Sequence, residues 1–371
     1  MPSQHPIDPE FLALPLRKLA ETALQRARDF HAEHADFRLE RLRTQRLVLK
    51  DASLVDASQG DELGFCVRVI VDGAWGFAAG VELTIDSVVR VTEQALAVAR
   101  AAKPIAAERI ELADEPAYPD RVWVSDYDVD PFEVPTADKV ALLGDWSRGL
   151  LAAGGVDHVS AVVTQARENK FYADMHGTST VQQRVRLHPG VEVYGADHTL
   201  GLFDSMRTVA PPVGRGWEYL TGDLYDWTNA LAVLPELLVE KLAAPSVDAG
   251  RYDLVVDPSN LWLTIHESIG HATELDRVLG YEANYAGTSF AKVDGLGSLQ
   301  YGSRLLNVTG DRTVQHGLAS IGYDDDGVAT QEWDLVKDGI LVGYQTDRRM
   351  AKLMGQERST GCAYADSPGH V

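Results

Sequence analysis

"ELGFCVRVIVDGAWGFAAG", Glu62–Gly80, holds two runs of β-branched and aromatic residues separated by Asp72-Gly73. Both runs have the residue types that fit a pleated surface, and an Asp-Gly pair supplies the left-handed backbone of a tight hairpin turn. The stretch therefore predicts strand, turn at Val71-Asp72-Gly73, strand. "FRLERLRTQRLVLKD", Phe37–Asp51, precedes it and also reads as a strand. A second strand-rich region runs from Val156 to Val193. There "HVSAVVTQA", "KFYADMHG", "STVQQRVRL" and "GVEVYGA" predict an antiparallel meander with turns at Glu168-Asn169 and His176-Gly177.

Helices flank these strands. Pro15 opens the first, with Leu16, Leu19, Ala23, Leu24, Ala27 and Phe30 at helical spacing. Thr84 or Asp86 can cap a second, with Val88, Val91, Ala95 and Val98 on one face. A third starts at Thr136, beyond a Pro- and Asp-rich connector, and ends at Gly154-Gly155. A further helix covers Trp227 to Ala244, with Pro235 marking a start or a kink. "APSVDAG" reads as a linker and places a domain boundary at 245/246. Beyond it come a strand "RYDLVVD", a helix capped by Asp257-Pro258-Ser259, and strand-and-turn sequence with a hairpin signal at Lys337-Asp338-Gly339. The fold class expected is α+β. Residues 1–245 form an N-terminal domain of antiparallel sheet with helices, and 246–371 a β-rich C-terminal domain carrying a metal-binding helix.

With 371 residues and a formal net charge of −21, the chain is an unsuitable ligand for nucleic acid or an anionic membrane surface. No apolar run reaches the roughly 18 residues of a membrane span, and the start, "MPSQHPIDPE", lacks the basic and apolar regions of a secretory leader. Cys66 and Cys362 are far apart and form no framework. These features lead us to expect a reducing, cytoplasmic compartment.

The segment with chemistry is "LTIHESIGHATE", Leu263–Glu274. Helical zinc sites place two histidines four residues apart, about 40° around the axis. His266 and His271 are five apart, which on a regular α-helix separates them by roughly 140°. A π turn restores them to one face, and Gly270 lowers the cost of the distortion. The alternative is two histidines on a buried helix. Against it stands Glu267, an acid that is expensive to bury unpartnered in so apolar a stretch.

"LTIHESIGHATELD", "YEANYAGTSF", "YDDDGVATQ" and "VKDGILVGYQTDRRMAKLMG" occur in that order, and together the four blocks resemble the TldD/PmbA family of metallopeptidases. Glu62–Gly80 resembles the family's N-terminal region. The family includes subunits that carry H-E-x-x-x-H and partners that have lost it; this chain resembles the former, TldD type. The resemblance implies that His266 and His271 bind zinc and that Glu267 is the general base. It implies an N-terminal α/β domain with a β-rich C-terminal one, and unfolded or modified peptides as substrates. It also implies a dimer, either of two copies or with a motif-less paralogue. The family's third zinc ligand is a cysteine near the C-terminus. "STGCAYADSPGHV" matches a region upstream of it, so that cysteine and part of the catalytic domain are expected beyond Val371, leaving a sheet edge or apolar core exposed and solubility poor.

Within the chain, Cys362 and Glu274 are the other candidates for a third ligand. Glu274 is better read as supporting His271 or pairing with Arg277. His198 and His316 are weaker candidates, and Tyr323–Gly327 lacks the alternating ligands of a calcium loop and reads as a turn or a cleft-lining loop. Three functions compete: a zinc peptidase working through metal-activated water, a non-catalytic peptide-binding or scaffold subunit, and a metal hydrolase acting on other carbonyls.

Overall fold

The computed structural model describes residues 5–197, 199 and 201–370; His198 lies outside them. A short helix α1, Pro9–Leu12, precedes α2, Leu16–Asp29, which starts directly after Pro15. Three strands follow: β1, His34–Lys50; β2, Ser53–Val71; and β3, Ala74–Gly80. Both connecting turns use paired left-handed residues, Asp51-Ala52 and Asp72-Gly73. Next come α3, Ile85–Ala102, capped by the Thr84 side chain, then β4, Arg121–Val124, and α4, Thr136–Leu151. Strands β5, His158–Asp174, β6, Ser179–Asp197, and β7, Leu202–Arg207, complete a seven-stranded sheet. Its order is β3-β2-β1-β5-β6-β4, with β7 also on β6, and every pairing is antiparallel except β4 with β6.

Alternation along these strands divides the sheet into two chemistries. Ala35, Phe37 and Leu39 face one way and bury against Leu19, Ala23, Val88 and Val91 of α2 and α3. Farther along, Leu47, Leu49, Val159 and Val163 pack under α4 and the later helix Trp227–Ala243. Residues of the other parity are charged. Asp36 sits opposite Arg68, Glu40 opposite Lys170, and Glu168 opposite Arg184. All six are buried.

Glu168 and Asn169 do not make the turn expected from sequence. β5 runs straight through them, because Glu168 pairs with Leu42 on one side and Arg184 on the other, and the Asn169 side chain bonds to Gln183 at 2.8 Å. The turn expected at His176-Gly177 is present, with Gly177 left-handed. β6 is continuous through Gly190.

Helices α5, Glu218–Thr221, and α6, Trp227–Ala243, lead to the C-terminal half. α6 passes through Pro235 and is capped by Asp226. Residues 251–257, expected as a strand, pair with no strand and lie exposed. Then come α7, Pro258–Ile265, and α8, Leu275–Leu279, followed by a small sheet of β8, Val308–Asp311, β9, Glu332–Lys337, and β10, Ile340–Leu341. The β9–β10 hairpin turns at Asp338-Gly339, both left-handed, as the sequence signalled. α9, Arg348–Leu353, follows and is capped by Asp347. Leu275, Val278, Ala291, Leu341, Tyr344 and Met350 form the core here.

The "DDDG" turn plugs the charged sheet face. Asp325 accepts from Arg38 and Lys170, each at 2.8 Å, and Asp326 pairs with Arg68 at 2.7 Å. Burial pushes the Asp325 carboxyl up, but Lys170 and Arg38 more than offset it and hold it below the usual range. Gly327 is left-handed and lies against Tyr172, where an added Cβ would meet the ring at 2.5 Å. The three aspartates are spent on cations and backbone N–H groups.

Among the described residues, no helix is long and apolar enough to cross a membrane. Several large apolar side chains of the C-terminal half are exposed, including Leu254 (81%), Val255 (104%), Trp262 (62%) and Tyr285 (95%). Surfaces of this kind associate. Sedimentation velocity should show larger species as concentration rises, and fewer of them for Leu254→Lys/Val255→Lys.

Glu40 gives a pH signature. Burial raises its carboxyl to about 7, because Glu168 and Asp325 counter the pull of Lys170, 3.7 Å away, and of Arg38. From its ordinary 4.5 up to that value the folded chain holds a proton that the unfolded chain releases. Stability therefore falls as pH rises through that window. Urea denaturation at about pH 5 and about pH 7.5 should show the wild type losing more stability than Glu40→Gln over that interval.

Candidate metal centre

α7 begins at Asp257, whose carboxylate accepts from the Ser259 N–H, with Pro258 in the first turn. It stays α-helical to Ile265. From His266 to Gly270 the backbone widens into a π turn, closed by the His271 N–H donating to the His266 carbonyl. A short 3-10 turn, His271–Thr273, follows. The five-residue spacing thus lands on one face, and the two imidazole centroids lie 4.3 Å apart. One ligand atom from each of His266, Glu267 and His271 falls within 4.8 Å of the others. Among the described residues this is the one group of three or more potential ligands so placed.

A π turn leaves carbonyls without their usual helical donors, and this one is satisfied from outside. Thr273 Oγ1 donates to the Ile269 carbonyl at 2.8 Å, and Gln345 Nε2 to that of Gly270 at 2.6 Å. The Tyr301 hydroxyl donates to the Ser268 carbonyl at 2.5 Å. Gln345 also bonds to Thr273 through its backbone N–H, at 2.8 Å. Gln345, Thr273 and Tyr301 are thus site-building residues that sequence reasoning missed; nothing about their spacing marks them. Gly270 has a smaller role than expected. Its φ of −51° is open to any residue, and an added Cβ would touch nothing nearer than the Ile265 carbonyl at 3.8 Å.

His271 is oriented by its second nitrogen. Nδ1 lies 3.0 and 3.1 Å from the two Glu274 oxygens, so as a donor there it leaves Nε2 as the lone-pair nitrogen. Arg277 fixes Glu274 in turn, donating from Nε at 3.1 Å, and anchors itself to the Ala286 carbonyl and Glu282. Glu274 therefore supports the His271 ring, and its pairing with Arg277 is the one the sequence suggested. Cys362 is not part of the cluster. Its thiol bonds to Thr360 Oγ1 at 3.2 Å, and burial pushes it up to about 11. His316 is also elsewhere, bonded to the Asp126 carbonyl. His266 and Glu267 are exposed and His271 is half-buried.

Two imidazoles and a carboxylate are donors that zinc accepts, and an oriented His–Glu pair is the usual support for such a ligand. His266 and His271 would hold the ion, with Glu267 beside it.

Residues 249–370 match the PmbA/TldA metallopeptidase C-terminal domain, and residues 35–99 match domain 1 of the same proteins. This chain belongs to the PmbA/TldD metallopeptidase family. Among relatives of this family member, a metalloprotease of Methanothermobacter thermautotrophicus is 25% identical over 338 residues, covering 91% of this chain and 70% of its own. A zinc metalloprotease TldD homolog of Saccharolobus solfataricus is 23% identical over 353 residues, covering 93% and 71%. The fold is shared with a putative modulator of DNA gyrase from Thermotoga maritima, at TM-score 0.74, 14% identity and coverage of 95% and 76%. It is shared also with TldE from Thermococcus kodakarensis, at TM-score 0.60, 17% identity and coverage of 94% and 74%.

If Glu274 fixes the His271 ring, Glu274→Ala should weaken zinc binding by roughly 10–100-fold while leaving the fold intact, as read by competition with a chromogenic chelator and by circular dichroism.

Proposed function

We propose that this chain is a cytoplasmic, zinc-dependent peptidase of the TldD type, acting on unfolded or modified peptides. The observation that carries the reading is the π turn. It sets His266 and His271 side by side with Glu267 between them in sequence, a backbone distortion that a merely structural helix has no need of. The relative named as a zinc metalloprotease supports the choice of metal.

Zinc at this position supplies a Lewis acid that polarises water and a scissile carbonyl. The chain's own contribution is geometric and protolytic. His271 is held by Glu274 and Arg277 so that its free nitrogen keeps one direction. Glu267 takes the proton of the attacking water at its carboxylate and delivers it to the leaving amine nitrogen. Its exposure leaves room for a peptide to approach. Substrate chains bind extended, pairing to a sheet edge, so that sequence tolerance comes from main-chain hydrogen bonds. We further propose that the chain works as two domains, 1–245 and 246–371, and as a dimer with a second copy or a motif-less paralogue.

Glu267→Gln keeps size and removes the base. It should reduce hydrolysis of an unfolded peptide by about 10²–10⁴-fold with zinc content unchanged, measured by fluorogenic peptide turnover and mass spectrometry of the metal. Undiminished turnover in that variant would sink the assignment.

A further inference from the structure

A cavity of about 390 Å³ opens between the end of β4 and the segment from Arg312 to Gly322. Trp123 forms one wall; Arg184, Arg312, His316 and Ser320 contribute polar groups, and Asp126 is the only acid in the lining. Arg312 is 8% exposed, yet no carboxylate oxygen of the described residues lies within 4.0 Å of its guanidinium. Its Nε donates to the Ala319 carbonyl at 3.2 Å and its Nη1 to the Gly361 carbonyl at 2.8 Å. Nη2 has no acceptor among the described residues. Asp324 is near enough to feel this cation, but its oxygens are taken by the backbone N–H groups of Asp326, Val328 and Ala363.

The neighbouring groups do not supply the missing anion. Arg184 is itself a buried cation whose Nη2 goes to Glu168 at 2.7 Å, and its Nε is buried without an acceptor. Asp126 sits at the rim, half-exposed, and accepts from Gln315 Nε2 at 2.9 Å with His316 alongside. A largely buried guanidinium held by two carbonyls through Nε and Nη1, with Nη2 left without a protein acceptor and a cavity beside it, is matched by an oxyanion. The indole wall adds apolar surface on which a short stem can lie.

We propose that this cavity binds a carboxylate-bearing chain end, with Arg312 receiving the carboxylate and Trp123 the adjoining apolar part. The ligand is a peptide C-terminus or a free small carboxylic acid. Both present the same two oxygens, and the site is independent of the peptidase reading because nothing in it touches His266, Glu267 or His271.

The test uses the full chain carrying Glu267→Gln, so that peptide cleavage does not enter. Acetyl-dialanine with a free carboxylate, the same peptide as its carboxamide, and acetate are titrated by calorimetry. The free acid should bind, with the carboxamide at least about tenfold weaker. Acetate matching the free acid would identify a small-acid site, and acetate much weaker would identify a peptide-end site. Equal binding of acid and amide, or no binding of any probe, overturns the proposal. Arg312→Gln should abolish binding. Because Arg312 also holds two backbone carbonyls, a second reading is taken without mutating it. The Arg312 Nε–Hε resonance should shift on saturation with the free acid and not with the amide. An unmoved resonance overturns the proposal even if the variant fails to fold.

Discussion

Burying Arg38, Arg68 and Lys170 on the centre of a sheet leans on Asp325 and Asp326, brought to them from between 155 and 287 residues away in sequence, alongside Asp36 and Glu40 of the sheet itself. Cations taken out of water in this way are strongly destabilising when left alone and near neutral when paired and fully bonded. The aspartate turn therefore acts as the counter-charge that lets the C-terminal half lie on the N-terminal sheet. It also fixes where that half can lie. An apolar face would accept a partner sliding by several ångströms, whereas Asp325 can satisfy Arg38 and Lys170 together in one position only. Everything downstream inherits this placement. The Asp326 carboxylate accepts from the Arg348 N–H at the start of α9, and Met350 of α9 shares a core with Leu275 and Val278 of α8.

The candidate metal centre shows the same dependence on remote contacts. Its candidate ligands come from six consecutive residues, but the carbonyls of the widened backbone that presents them are met by Gln345 and Tyr301. A distortion that breaks helical hydrogen bonds persists when side chains from elsewhere replace the lost donors. In this chain the replacements come from two different segments, so the geometry at His266 and His271 is a property of the packed half.

These dependencies explain how far the sequence could be read. Local signals were legible. Asp72-Gly73 and Asp338-Gly339 turn where expected, Thr84 caps its helix, and the five-residue histidine spacing demanded the π turn that is present. Signals that needed a partner misled. Glu168-Asn169 has the residue types of a turn, but its cross-strand partners keep β5 straight. The apolar alternation of Arg251–Asp257 looks like a strand, yet a strand exists only where another pairs with it, and none does among the described residues. Gly270 was assigned a conformational role that its backbone angles do not require. The aspartate turn read rightly as a turn, while its use as a buried counter-charge depended on cations whose proximity no local pattern discloses.

The π turn has a consequence for lineage. Such a turn is an α-helical turn with one residue added, and the flanking helix keeps its course. Removing one residue between Glu267 and His271 would return the pair to the four-residue interval found on regular helices, with both imidazoles still facing the same way. A single codon therefore separates the two ligand spacings. In the longer form the Gly270 carbonyl is met by Gln345.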